Sequence, residues 1–241
     1  MPENRLIAVF SRCNDPARED EWNEWYDDVH LPALVTRETA DVVTRWQLTV
    51  APEPDMPSVG FSHVALYEIK GREGETESQV DRRVEALLDL SAALEAKGDV
   101  HPNHAVIDVH LFRSWGRYSD KPNPDASLRA HIMAYVVCND SACEAEWDQW
   151  NDEMHMPDMM ASGAFLAVSR WRKREPGRFG ANYLTLYDIG DIGVDEAVTR
   201  SAAVMPGLVS SGRKHRCHTG AMVLRLGPAG RYAGAGYRPP R

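Results

Sequence analysis

The chain repeats itself, and the repeat limits what it can fold into more than any other feature. At an offset of 125 residues, the step from Cys13 to Cys138, Cys13-Asn14-Asp15 falls on Cys138-Asn139-Asp140. At the same offset Glu21-Trp22, Trp25, Asp27, His30, Pro32 and Arg45-Trp46 fall on Glu146-Trp147, Trp150, Asp152, His155, Pro157 and Arg170-Trp171, without a gap. Further on the offset is 120, the step from Leu66 to Leu186, where Leu66-Tyr67-Glu68-Ile69 meets Leu186-Tyr187-Asp188-Ile189. The change of length falls in a stretch holding Pro52, Pro54 and Pro57, as expected of a loop. Two copies of one supersecondary unit follow.

Each copy reads in one order. An apolar strand (Leu6 to Phe10, Ile132 to Val137) leads into a helix that Asp15 or Ser141 can cap, with acidic residues in its first turn. Trp22, Trp25, Tyr26 and Val29, and then Trp147, Trp150 and Met154, recur at helical spacing. The proline of His-x-Pro disfavours helical geometry in the residue before it, so the helix is expected to end or bend there. Two strands follow (Val42 to Val50 and Ser62 to Ile69; Leu166 to Lys173 and Asn182 to Ile189). A second helix (Glu75 to Ala96; Val194 to Val204) and a last strand (Ala105 to Arg113; Gly220 to Leu226) complete each copy.

That order, β-α-β-β-α-β, is the ferredoxin-like unit. The predicted fold class is α+β: two tandem ferredoxin-like repeats forming an intramolecular pseudo-dimeric α/β barrel, because each sheet has one apolar face that its own helices leave uncovered. The expected divisions are residues 1–115 and 127–226 for the repeats, 116–126 for a Pro-containing linker and 227–241 for a Gly/Pro/Tyr-rich tail, an arm or a disordered end.

The segments Trp22 to Pro32 and Trp147 to Pro157 resemble the EthD-like branch of the dimeric α/β-barrel superfamily, here as a fused pair. The resemblance implies the fold directly and chemistry only by class, since the superfamily holds cofactor-free monooxygenases, cyclases, decarboxylases, isomerases and haem enzymes.

His30 and His155 are the leading catalytic candidates, because imidazole moves protons near neutral pH. Asp27 and Asp152, three residues earlier on a helix, are placed to orient them. A helix-capping role for the histidines is the competing reading. Trp25, Tyr26 and Trp150 are candidate pocket walls, with core packing as the alternative. Arg45 and Arg170 either bind a substrate anion or pair with a helix carboxylate. His63, Tyr67, Tyr183 and Tyr187 are candidates to bind or protonate an oxyanion from alternating strand positions. His104, Asp108 and His110 are expected on one face of the last strand.

The expected function is a cofactor-independent lyase or cyclase acting by histidine acid–base catalysis on a small apolar, aromatic or polyketide-like molecule. The alternatives are a cofactor-free monooxygenase and a non-catalytic ligand-binding protein. No cofactor and no metal are expected, since no phosphate loop, dinucleotide fingerprint, nucleophile elbow or tight ligand motif occurs. Net charge −9 argues against a nucleic-acid partner. No apolar run reaches membrane-spanning length and no export signal opens the chain, so a cytoplasmic protein with free thiols is expected, with a homodimer as an allowed assembly.

Overall fold

The computed structural model describes residues 1–49, 59–119, 127–174 and 181–239. Two compact units are present: Met1–Arg113 with Pro228–Arg241, and Ser114–Gly227.

In the first unit β1 (Arg5–Cys13) is followed by a 3-10 turn, helix α1 (Glu19–Trp25), a π-helical turn (Tyr26–His30) and the short helix α2 (Leu31–Leu34). Strands β2 (Val42–Leu48) and β3 (His63–Ile69), helix α3 (Glu77–Lys97) and strand β4 (His104–Ser119), of which the first unit takes the part up to Arg113, complete it. The antiparallel sheet has the order β4-β1-β3-β2. Ile7, Val43, Ala65 and Tyr67 of the sheet pack against Trp22, Tyr26, Leu31, Val80, Val84 and Leu87 of the helices. A capping box between Thr76 and Gln79 starts α3, and Gly98 in left-handed geometry ends it.

The second unit has the same order: β5 (Ala130–Cys138), α4 (Glu144–Trp150), a π-helical turn (Asn151–His155), α5 (Met156–Ala161), β6 (Ala167–Lys173), β7 (Tyr183–Ile189), α6 (Val194–Ser210) and β8 (His218–Pro228). Its antiparallel sheet has the order β8-β5-β7-β6. Asp140, not Ser141, caps the turn before α4, as Asp15 does before α1.

The structure differs from the sequence reading in five places, each with a local cause. The helix does not end at His-x-Pro. The π-helical turn hands its next amide back five residues, Leu31 to Tyr26 and Met156 to Asn151, and the helix resumes with Pro32 and Pro157 in its first positions. Helix α6 likewise continues through Pro206. Strand β4 extends to Ser119, past the expected start of the linker, whose residues 120–126 lie outside those described. A β-bulge between Phe10 and Ser11 shifts β1 against β4, so His104 lies opposite Cys13 while His110 lies opposite Ala8. One residue of slip reverses the face, which puts His104 on the helix side and His110 beside Phe10 on the other.

The fifth difference concerns cysteine. Cys143 and Cys217 form a disulfide across 74 residues, leaving Cys13 and Cys138 free. The expectation of four free thiols was drawn from spacing and from the lack of an export signal, and neither reports a pairing made by tertiary proximity.

The tail is a built element. Tyr237 and Val43 exchange two backbone hydrogen bonds (2.8 and 3.0 Å), and the Arg45 amide donates to the Tyr232 carbonyl at 3.1 Å. Gly230 passes so close to Asp27 and Arg45 that a Cβ would collide with the Asp27 carboxylate. Among the described residues, no helix is long and apolar enough to cross a membrane.

Candidate functional site

The π-helical turn decides what the first helix of each unit presents. In α-helical geometry residues three apart are neighbours, but a π-turn needs about five residues to come round. Asp27 and Asp152 are therefore carried away from His30 and His155, and the residue five before each histidine comes into register with it. Trp25 meets His30 and Trp150 meets His155, each with ring centres 4.8 Å apart.

The aspartates that were expected to orient the histidines bind arginines instead. Asp27 Oδ1 accepts from Arg45 at 2.7 Å and its Oδ2 from the Arg231 amide at 2.7 Å. Asp152 Oδ1 accepts from Arg170 at 2.5 Å, and Arg170 also reaches Asp148. Arg45 and Arg170 are buried, and Arg45 lies 4.0 Å over the Tyr26 ring. Both guanidinium groups are thus spent on helix carboxylates and are not presented to a ligand.

A second pair of histidines joins each helix histidine, from the segment entering the last strand. His101 and His104 in the first unit correspond to His215 and His218 in the second, an offset of 114 residues given by the step from His101 to His215. This His-x-x-His repeat was open to sequence reading and was missed; the earlier offsets of 125 and 120 do not align it.

The tautomers follow from donors that can only donate. Trp22 Nε1–H donates to His104 Nδ1 at 3.1 Å, and Trp147 Nε1–H to His218 Nδ1 at 3.2 Å. Neutral His104 and His218 therefore carry their proton on Nε2. The Asn103 and Cys217 amides likewise donate to Nδ1 of His101 and His215, at 3.2 Å in both cases. Burial is the largest cause holding these rings neutral. It pushes His30 to about 3, with His104 and Arg45 adding to the effect. It pushes His104 to about 4 and His155 to about 4. His218 is pushed to about 3, first by burial and then by the charges of His155, Lys214, His215 and Arg170.

His30 and His155 are buried alike, at 6% and 9% exposure. In the first unit Trp25, Tyr26 and His104 pack around His30, whose Nδ1 is buried without a partner, and His101 packs on Trp25. In the second, a cleft of ≈ 300 Å³, open mouth included, is lined by Trp150, His155, Asp158, Met205, Leu208, Arg213, Lys214 and His218. Trp150, His155 and His218 form a triangle with ring centres 4.8 to 5.3 Å apart. Trp150 is fixed by its Nε1–H bond of 2.6 Å to the Arg213 carbonyl.

The remaining candidates lie under the helices. His63 stands edge-on to Trp22, with Nδ1 at 2.9 Å from Ser62 Oγ, and burial pushes it to about 4. Tyr67 and Tyr26 share a hydrogen bond at 3.2 Å, and burial raises both phenols. Tyr183 donates to Glu144, and Tyr187 packs on Phe165. Of the residues singled out from the sequence, His155 and Trp150 line the cleft.

No protein-family profile and no curated protein sequence matches the chain. Solved structures do. A provisionally assigned monooxygenase from Fusobacterium nucleatum is similar over 99% of both chains, with TM-score 0.54 and 10% identity. A provisionally assigned monooxygenase from Lactobacillus acidophilus is similar over 98% of both chains, with TM-score 0.54 and 10% identity. A provisionally assigned chlorite dismutase is similar over 95% of both chains, with TM-score 0.51 and 11% identity. At such identity the likeness shows the fold alone.

Proposed function

We propose that the second unit is a cofactor-independent oxygenase site for a small, flat, largely apolar substrate bearing an acidic O–H or C–H group. The observation that carries this reading is the pair of neutral imidazoles, buried His155 and half-buried His218, meeting over Trp150 in one cleft.

Their roles differ. His218 already bears its proton on Nε2 and receives an indole N–H on Nδ1, so it cannot take up a proton without losing that bond. It is a donor, suited to a developing oxyanion. His155 is the base. Burial alone makes it a weak one, at about 4, but a substrate that gains negative charge as it gives up its proton stabilises the imidazolium beside it. Proton removal yields an electron-rich enolate or phenolate. Dioxygen takes electrons from that anion, adds to the carbon, and the resulting hydroperoxide loses water. The balance is one CH2 plus O2 giving one C=O plus H2O, with no external reductant. Perturbed histidines in a cleft support an enzyme over a purely binding role. We also assign the two units as EthD-like ferredoxin-like repeats, on their shared helix motif and element order.

The same proton abstraction would begin an elimination, a decarboxylation or a ring closure, the reading favoured by sequence alone. The two monooxygenase-assigned structures of the same fold favour oxygenation. Dioxygen separates the two. With a panel of enolisable hydroxylated aromatic ketones, turnover is expected to consume one O2 per product and to stop under argon. Undiminished product under argon, with release of water or CO2, would establish the lyase reading in its place.

A further inference from the structure

The mouth of the cleft holds an uncompensated cation. Arg213 is neutralised: its Nε and terminal nitrogen bind both oxygens of Asp158 at 2.8 to 3.0 Å. Lys214, next to it, is exposed and has no carboxylate partner among the described residues. Its charge reaches the site, since it is among the groups that disfavour a protonated His218. Inside the mouth, Trp150, Met205 and Leu208 offer an indole face and two apolar walls.

The first unit lacks this arrangement. At the offset of 114 residues that aligns His101 with His215, Asp99 stands at the place of Arg213 and Val100 at that of Lys214. At the offset of 125 residues, the step from Cys13 to Cys138, Ala33 stands at the place of Asp158. The shared fold therefore does not require a cation at this position.

We propose that Lys214 is a specificity-determining residue that selects an aromatic carboxylate, whose ring lies on Trp150 between Met205 and Leu208 and whose carboxylate meets the ammonium at the mouth. The geometry favours a terminal anion over an internal one: the cation is at the rim, while the two histidines occupy the interior and stay neutral. The carboxylate thus anchors the molecule and leaves its far ring positions toward His155 and His218. This deepens the proposed function and rests on it only for the choice of site.

The test is a binding measurement. Wild type and Lys214→Met are titrated with 1-naphthoate and with uncharged 1-naphthalenemethanol, following tryptophan fluorescence and calorimetry at low and high salt. Wild type is expected to bind the naphthoate about 5-fold tighter than the alcohol, with the preference weakened by salt. Lys214→Met is expected to lose that preference while binding the alcohol unchanged. Equal affinity of the two ligands for wild type, no binding of either, or a preference that survives in Lys214→Met would each overturn the assignment. Failure of the oxygenase reading looks different: the naphthoate preference and its loss in Lys214→Met would persist, with no oxygen uptake from any substrate.

Discussion

Stability is expected to fall as the pH drops below 6.5. His30 and His218 are held at about 3, and His63, His104 and His155 at about 4, each with burial as the first cause. An unfolded histidine titrates near 6.5. Below that pH the unfolded chain binds more protons than the folded one. The stability these rings contribute is therefore complete above 6.5 and is lost as pH falls toward their folded values. Each ring removes at most about 1.4 kcal/mol per pH unit. Acting together, they remove a large part of an ordinary folding free energy of about 5–15 kcal/mol. Paired carboxylates such as Asp41 and Glu77 are depressed in the folded state, so they act in the same direction but only at still lower pH. Urea unfolding followed by tryptophan fluorescence from pH 7.5 to 4.5 measures the slope. A midpoint that stays level down to pH 4.5 would show that these rings are solvated.

Arg45→Met is expected to destabilise the protein by about 3 kcal/mol, because it takes the hydrogen-bonded partner from a buried carboxylate and leaves it only the more distant Arg231. Asp27 is 3% exposed and its Oδ1 would lose its hydrogen-bonded cation, while Oδ2 keeps the Arg231 amide and the Arg231 guanidinium at 3.8 Å. The double variant Arg45→Met, Asp27→Asn should recover most of the loss, since replacing both members of a buried pair is far cheaper than breaking it. The equivalent Arg170→Met should cost less, because the Asp152 and Asp148 side chains are 47% and 29% exposed and water can take over. Thermal and urea unfolding of the three variants and the wild type gives the comparison. Equal losses at Arg45 and Arg170 would mean that burial does not set the cost of these pairs.

What the sequence disclosed, and what it hid, follows the range of the interactions. The strands and both helices of each copy were legible, since alternation and helical spacing are local and the repeat supplied each boundary twice. Trp25 and Trp150 were legible as candidate walls, and His30 and His155 as residues at a special turn. The partner of each histidine was not. Three-residue spacing pointed to Asp27 and Asp152, but a π-helical turn, set by how the helix accommodates Pro32 and Pro157, replaced that neighbour with the residue five back. The face of His104 turned on a one-residue bulge that alternation cannot register. The Cys143–Cys217 bridge and the docking of Arg231 on Asp27 join residues 74 and 204 apart, with no local signal.

We propose that the working histidine is His155, which lines a cleft with Trp150 and His218, rather than His30. The direct test is the activity of His155→Ala and His30→Ala on one substrate, with each variant's melting temperature measured alongside. His155→Ala should lose about 10²-fold or more in kcat, the worth of a positioned general base, and still fold. His30→Ala should keep its kcat and lose only stability, from the cavity left among Trp25, Tyr26 and His104. Full activity in folded His155→Ala, or a loss of kcat confined to His30→Ala, would contradict the account.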